Sequence, residues 1–140
     1  MEKVAAGNLD LVRWIDLPSH ADPRGVLTAI EGGKDLPFDI KRAYLVHHIV
    51  ADRGGHAHRA TEQIVIAAAG SFEMNLSNGR ESRTFLLDSP TRGLFLSPML
   101  FISMQSFAPG TCALVLASTH YDGTKSIRSW EEYLAAINPS

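Results

Sequence analysis

The stretch Arg53-Gly54-Gly55-His56-Ala57-His58-Arg59-Ala60-Thr61-Glu62-Gln63 carries two histidines two residues apart, just ahead of the apolar run 63–69. On an extended backbone that spacing points both imidazoles to the same face. Inside a closed sheet both would enter one cavity, where two convergent imidazoles can move protons. The fold therefore turns on whether the flanking chain is built of strands.

It reads that way in both directions. Upstream, 11–17 alternates loosely and stops at Pro18, 20–24 is a polar loop, and 25–31 is a strand closed by Gly32-Gly33. Residues 40–50 are rich in branched and aromatic side chains, and Asp52-Arg53-Gly54-Gly55 reads as a turn. Downstream, 63–69 is continuously apolar and Gly70 marks a bend. Phe72, Met74 and Leu76 alternate onto one face, and Asn78-Gly79 is a strong hairpin signal. Further strands fall at 84–87, 93–96, 100–104 and 111–118. Many short strands joined by turns predict an all-β sandwich or barrel. Ser129-Trp130-Glu131-Glu132 is a capping box, so one short C-terminal helix is expected over 130–137.

The 140 residues suffice for a single domain with one core. With 45% apolar residues, 20% charged residues and a net charge of −2, the chain shows no basic footprint for nucleic acid and no membrane-surface pattern. No apolar run reaches the roughly 18 residues of a membrane-spanning helix, and the N-terminal residues lack the apolar core of a signal peptide. The lone Cys112 cannot form an internal disulfide, which fits a cytoplasmic location.

The His-x-His pattern with Gly70 is similar to the first motif of cupin barrels, in which paired imidazoles begin a metal site. The region that would supply the third histidine, Gly93 to Ser103 around Pro98, has Phe101, Ile102 and Ser103 instead. Two histidines and the Gln63 amide fall short of the three or four good ligands that a transition metal usually takes, so no metal is expected. Upstream, Arg42 and Tyr44 share one strand face and could bind a phosphate and steer a sugar oxygen. His20, His47, His48 and His120 read as surface residues.

Four segments together resemble the dTDP-4-keto-6-deoxyglucose 3,4-ketoisomerases of bacterial sugar biosynthesis. They are Arg24-Gly25-Val26-Leu27-Thr28-Ala29-Ile30-Glu31, Leu36-Pro37-Phe38-Asp39-Ile40-Lys41-Arg42-Ala43-Tyr44, Arg53-Gly54-Gly55-His56-Ala57-His58, and Ala117-Ser118 with Tyr121-Asp122 before Ile127-Arg128. The resemblance covers about 24 to 133. It implies a single cupin-type (jelly-roll) β-barrel domain over 1–140 that works as a homodimer without metal or cofactor on a dTDP-linked keto-sugar. It also implies His56, His58 and Tyr44 as catalytic residues. The chain departs from the family at Leu45, where a second Tyr is common, and at Phe101-Ile102, where Trp-His is common.

The chemistry expected is removal of the C3 proton beside a C4 ketone, an enediol or enediolate, and reprotonation at C4. His58 would act as base with His56 in support. Tyr44 and Arg42 would hold the oxygens, and Arg53, Gln63 and Arg24 are further substrate-binding candidates. A 3,5-epimerase on the same sugar, a non-catalytic sugar-binding cupin and a metal-dependent dioxygenase are the competing readings.

Overall fold

The computed structural model describes residues 2–138. It is mostly antiparallel strand with one short C-terminal helix. One sheet holds β1 (Arg13–Asp16), β9 (Arg92–Leu96), β6 (Gln63–Ala69), β11 (Cys112–Ala117) and β4 (Arg42–Val46), in that order. The other holds β12 (Ser126–Ile127), β5 (Arg53–His58), β10 (Phe101–Gln105), β7 (Phe72–Ser77) and β8 (Ser82–Leu87). The two sheets do not close into a barrel, which corrects the expected closed form. Strand β4 ends one sheet, and β5, carrying only the two-residue β12, lies near the end of the other.

The core lies between the sheets. Val65, Leu94 and Val115 from the first meet Phe72, Leu76, Ile102 and Met104 from the second. The period-two pattern noted in the sequence accounts for it: along β7, Phe72, Met74 and Leu76 are buried while the residues between them are half-exposed. Asn78-Gly79 forms the expected β7–β8 turn, with Asn78 Oδ1 accepting from the Arg80 and Glu81 amides.

Two expected loops are strand. Residues 20–24, read as a loop, begin inside β2 (Ser19–Asp22), which pairs with β3 (Gly25–Thr28) as a separate two-stranded ribbon. The supposed turn at 52–55 is largely the start of β5. Gly54 adopts φ +130°, and a Cβ there would stand 2.4 Å from Ser103 Cα, so β5 lies flush on β10 only because side chains are missing.

Helix α1 (Trp130–Ala136) starts at Ser129, whose Oγ accepts from the Glu132 amide. The Glu132 carboxylate reaches back to the Arg128 amide, a capping box displaced by one residue. The helix packs behind β5, where Ala57, Phe101, Ile127 and Tyr133 form one cluster. The fully buried Tyr133 hydroxyl donates to the Met99 carbonyl at 2.7 Å. Burial pushes this phenol up to about 12. Tyr133→Phe should cost about 1 kcal/mol in urea unfolding, near the low end for a buried hydrogen bond, since the Met99 carbonyl keeps the Gly7 amide. Tyr133→Ala should cost about 3–5 kcal/mol through the cavity it leaves.

Candidate active site

A cavity of about 440 Å³ opens between the sheets, a size that suits a small ligand. Its walls come from both sides of the β4–β5 gap: Tyr44 and Val46 from β4, and Arg53, Gly54, His56 and His58 from β5. The alternation of β5 explains the His-Ala-His order. Ala57 is fully buried in the cluster behind the strand, so its neighbours on either side turn into the cavity. The two imidazole rings stand edge to face with centroids 5.1 Å apart.

Gln63, the first residue of β6, also lines the cavity, and its Nε2 donates to the Tyr44 hydroxyl at 3.0 Å. The Arg42 guanidinium lies 5.4 Å from the Tyr44 ring centre and 5.5 Å from that of Tyr121. Arg42 Nε and His58 Nε2 are buried with no hydrogen-bond partner among the described residues. His58 lines the cavity, so its orphaned nitrogen is the one placed to meet a ligand there.

The other wall is apolar. Val65, Met74, Ile102, Met104 and Val115 line it and are all buried. Ile102 pairs directly opposite His56. The region where a third metal ligand would stand in a cupin thus contributes hydrocarbon. None of these floor residues was picked out as a site residue from the sequence, except that Ile102 marks the position lacking a histidine. Asp52 lines the cavity as well and carried no sequence signal.

Electrostatics set the protonation states. Burial pulls the His58 imidazole down to about 4, and nearby His56 and Arg42 push the same way. His56 is lowered by burial and by the Arg53 and Arg128 charges. Burial raises the Tyr44 phenol, against the opposing pull of Arg42, Gln63 and Arg53. At neutral pH the cavity therefore presents two neutral imidazoles and a protonated phenol.

Of the residues anticipated from sequence, His56, His58, Tyr44, Arg53 and Gln63 line this cavity, and Arg42 flanks it. Arg24 does not line it; it is exposed in the β2–β3 ribbon and pairs with Asp22 at 2.7 Å. His20, His47, His48 and His120 are exposed, as expected of surface histidines.

The comparisons with known proteins agree with one another. The family described as FdtA, WxcM-like, C-terminal, matches residues 10–138. A TDP-4-oxo-6-deoxy-alpha-D-glucose-3,4-oxoisomerase of Aneurinibacillus thermoaerophilus is 38% identical over 129 residues, covering 89% of this chain and 93% of that protein. The sugar 3,4-ketoisomerase QdtA of Thermoanaerobacterium thermosaccharolyticum, solved with TDP, superposes with a TM-score of 0.87 at 37% identity, over 91% of this chain and 95% of that one. A mutant of QdtA solved with TDP-4-keto-6-deoxyglucose gives a TM-score of 0.87 at 36% identity, over 91% and 94% of the two chains. By the extent of the family match and the identity to these relatives, this chain belongs to the FdtA (WxcM-like, C-terminal) family.

Proposed function

We propose that this chain is a 3,4-ketoisomerase that moves the ketone of a TDP-linked 4-keto-6-deoxyhexose from C4 to C3. The observation that carries the reading is the cavity itself: two neutral imidazoles and a protonated phenol face one space in a chain whose relatives catalyse this isomerisation. His58 serves as base, since its Nε2 has no partner among the described residues and its low pKa keeps it neutral. His58 takes the C3 proton, and the electron pair of that bond forms C3=C4. The C4 oxygen takes the Tyr44 proton, giving an enediol. The His58 imidazolium exchanges its proton with solvent and then delivers a proton to C4, the O3 proton passes to Tyr44, and the ketone is left at C3. His56 supports His58, Arg42 stabilises the oxygen charge, and Arg53 binds substrate. The reaction requires no redox cofactor, because the hydrogen lost at C3 is regained at C4.

The same reading takes residues 1–140 as one cupin-like domain, since the cavity draws on strands from β4 to β11. It takes the enzyme as a cytoplasmic homodimer. The unpaired Cys112 suits a reducing compartment. The β2–β3 ribbon leaves Val26 and Leu27 63% and 64% exposed, an apolar pair suited to contact with a second copy. Sedimentation should give twice the chain mass, reduced to the single-chain mass by V26D/L27D; a monomeric wild type would remove the dimer.

The principal test follows TDP-4-keto-6-deoxyglucose by NMR in deuterated water. A 3-keto product labelled at C4 is expected, and His58→Asn should abolish it. Label at C3 and C5 with the ketone still at C4 would make the protein an epimerase, and binding without exchange would make it a non-catalytic sugar-binding protein.

The pH dependence follows from the depressed imidazoles. The folded protein gives up these protons at lower pH than the unfolded chain, whose histidines titrate near 6.5. Stability from the neutral pair is therefore complete above about pH 6.5 and is lost as pH falls toward the His58 value of about 4. The acid limb of kcat/KM should lie well below 6.5; a limb at or above 6.5 would count against His58 as the base.

The apolar floor addresses the 6-deoxy position. A hydroxyl pressed against Val65, Met104 and Val115 would lose water without gaining a partner, at a cost of about 1–3 kcal/mol, whereas a methyl fits. Titration calorimetry should show TDP-6-deoxyglucose binding about ten-fold tighter than TDP-glucose. Equal affinities would place C6 away from this floor.

A further inference from the structure

Gln63 is one of three buried polar side chains among the described residues, at 3% exposure, and it makes a single side-chain hydrogen bond, to Tyr44. The topology explains how it reaches. Gln63 and Arg42 both lie opposite Ala117 of β11, and Tyr44 lies opposite the next inward residue, Val115. The small Ala117 side chain leaves room above β11 for the amide to cross from β6 to the phenol on β4.

A phenol has one hydrogen to donate, and its oxygen can accept. The Gln63 N–H occupies the oxygen as acceptor, so the Tyr44 hydrogen cannot point back along that bond. No acceptor for it stands among the described residues, and the open direction is the cavity shared with His56 and His58. We propose that Gln63 is a positioning residue: its amide N–H directs the Tyr44 hydroxyl hydrogen toward the substrate oxygen and holds the phenolate that remains after transfer. This rests on the ketoisomerase reading and changes the role of Gln63 within it, from contacting substrate to orienting the acid that does.

The step balances without any outside reagent. Tyr44 gives its proton to the C4 oxygen as the C3–H pair moves into C3=C4. The phenolate accepts the Gln63 N–H until it takes the O3 proton in the second half. A donor at position 63 therefore favours both states of Tyr44, whereas an acceptor there would draw the phenol hydrogen out of the cavity.

The test compares Gln63→Glu and Gln63→Met, both close in size to glutamine, with the wild type. Gln63→Glu should lower kcat about 100-fold at neutral pH with little change in KM, the scale of one lost acid–base contribution. The rate should recover as pH falls and the new carboxyl becomes protonated and able to donate. In a Tyr44→Phe background, Gln63→Glu should change kcat by less than about two-fold, because the group it orients is gone. A second readout needs no turnover: Gln63→Met should raise the Tyr44 titration, followed by ultraviolet difference absorbance. An undiminished effect in the Tyr44→Phe background, no recovery at low pH, or an unmoved Tyr44 titration would each overturn the proposal. A wild type that does not isomerise the sugar would instead sink the ketoisomerase reading, and the Tyr44 titration would still judge the hydrogen bond.

Discussion

The close approach of β5 to β10 is the constraint on which the site depends. At Gly54 the two backbones lie so near that a Cβ would collide with Ser103, and the register shifts between Ile102 and Ser103 at the same place. This fixes β5 on the sheet and sets which way each later side chain of the strand faces. With Ala57 pressed into the cluster beneath helix α1, His56 and His58 can only face the other way. A larger residue at 57 would push against Tyr133 and the helix, so the small residue between the two histidines has a packing cause and, as a consequence, turns both imidazoles into the cavity. The helix, remote from the cavity, thus acts as the backing of the strand that bears the imidazoles.

Much of this was readable in the sequence because periodicity survives where one face of a strand is buried. The run 63–69 and the alternation of Phe72, Met74 and Leu76 fall on strands at nearly the expected bounds. The misreadings share a physical origin. Residues 19–22 form a strand exposed along its whole length, so no apolar alternation marks it, and Pro23 with Arg24 looks like loop. Gly54-Gly55 resembles a turn, yet glycine serves there to let one strand lie close on another. Closure into a barrel is likewise not encoded in the period of any single strand; it depends on whether strands at the ends of the two sheets pair, and β4 pairs with neither β5 nor β12.

The cavity was half visible for a related reason. His56, His58 and Tyr44 announce themselves by residue type, since imidazole and phenol carry chemistry wherever they converge. The floor does not: Val65, Met74, Met104 and Val115 are ordinary core residues until the gap between the sheets exposes them to a ligand. The Gln63–Tyr44 bond is also invisible in one dimension. It joins residues 19 apart, on strands that meet only through β11, and needs a small side chain at Ala117 between them.

The charges around the cavity unite the site with the proposed chemistry. Arg42 disfavours the His58 imidazolium, and Arg53 and Arg128 disfavour that of His56, so the arginines reinforce what burial already does. Taken alone, this makes His58 a weak base, neutral but reluctant to accept a proton. In the proposed reaction the same guanidinium charge would attract the negative charge that grows on the sugar oxygen as the C3 proton leaves, and a diphosphate as well. An anion held against Arg42 would offset the part of the field that Arg42 exerts on His58 and so raise the basicity of that imidazole. The free site thus keeps its imidazoles neutral, and under the proposed chemistry an anionic substrate would supply the charge that lets one of them take a proton.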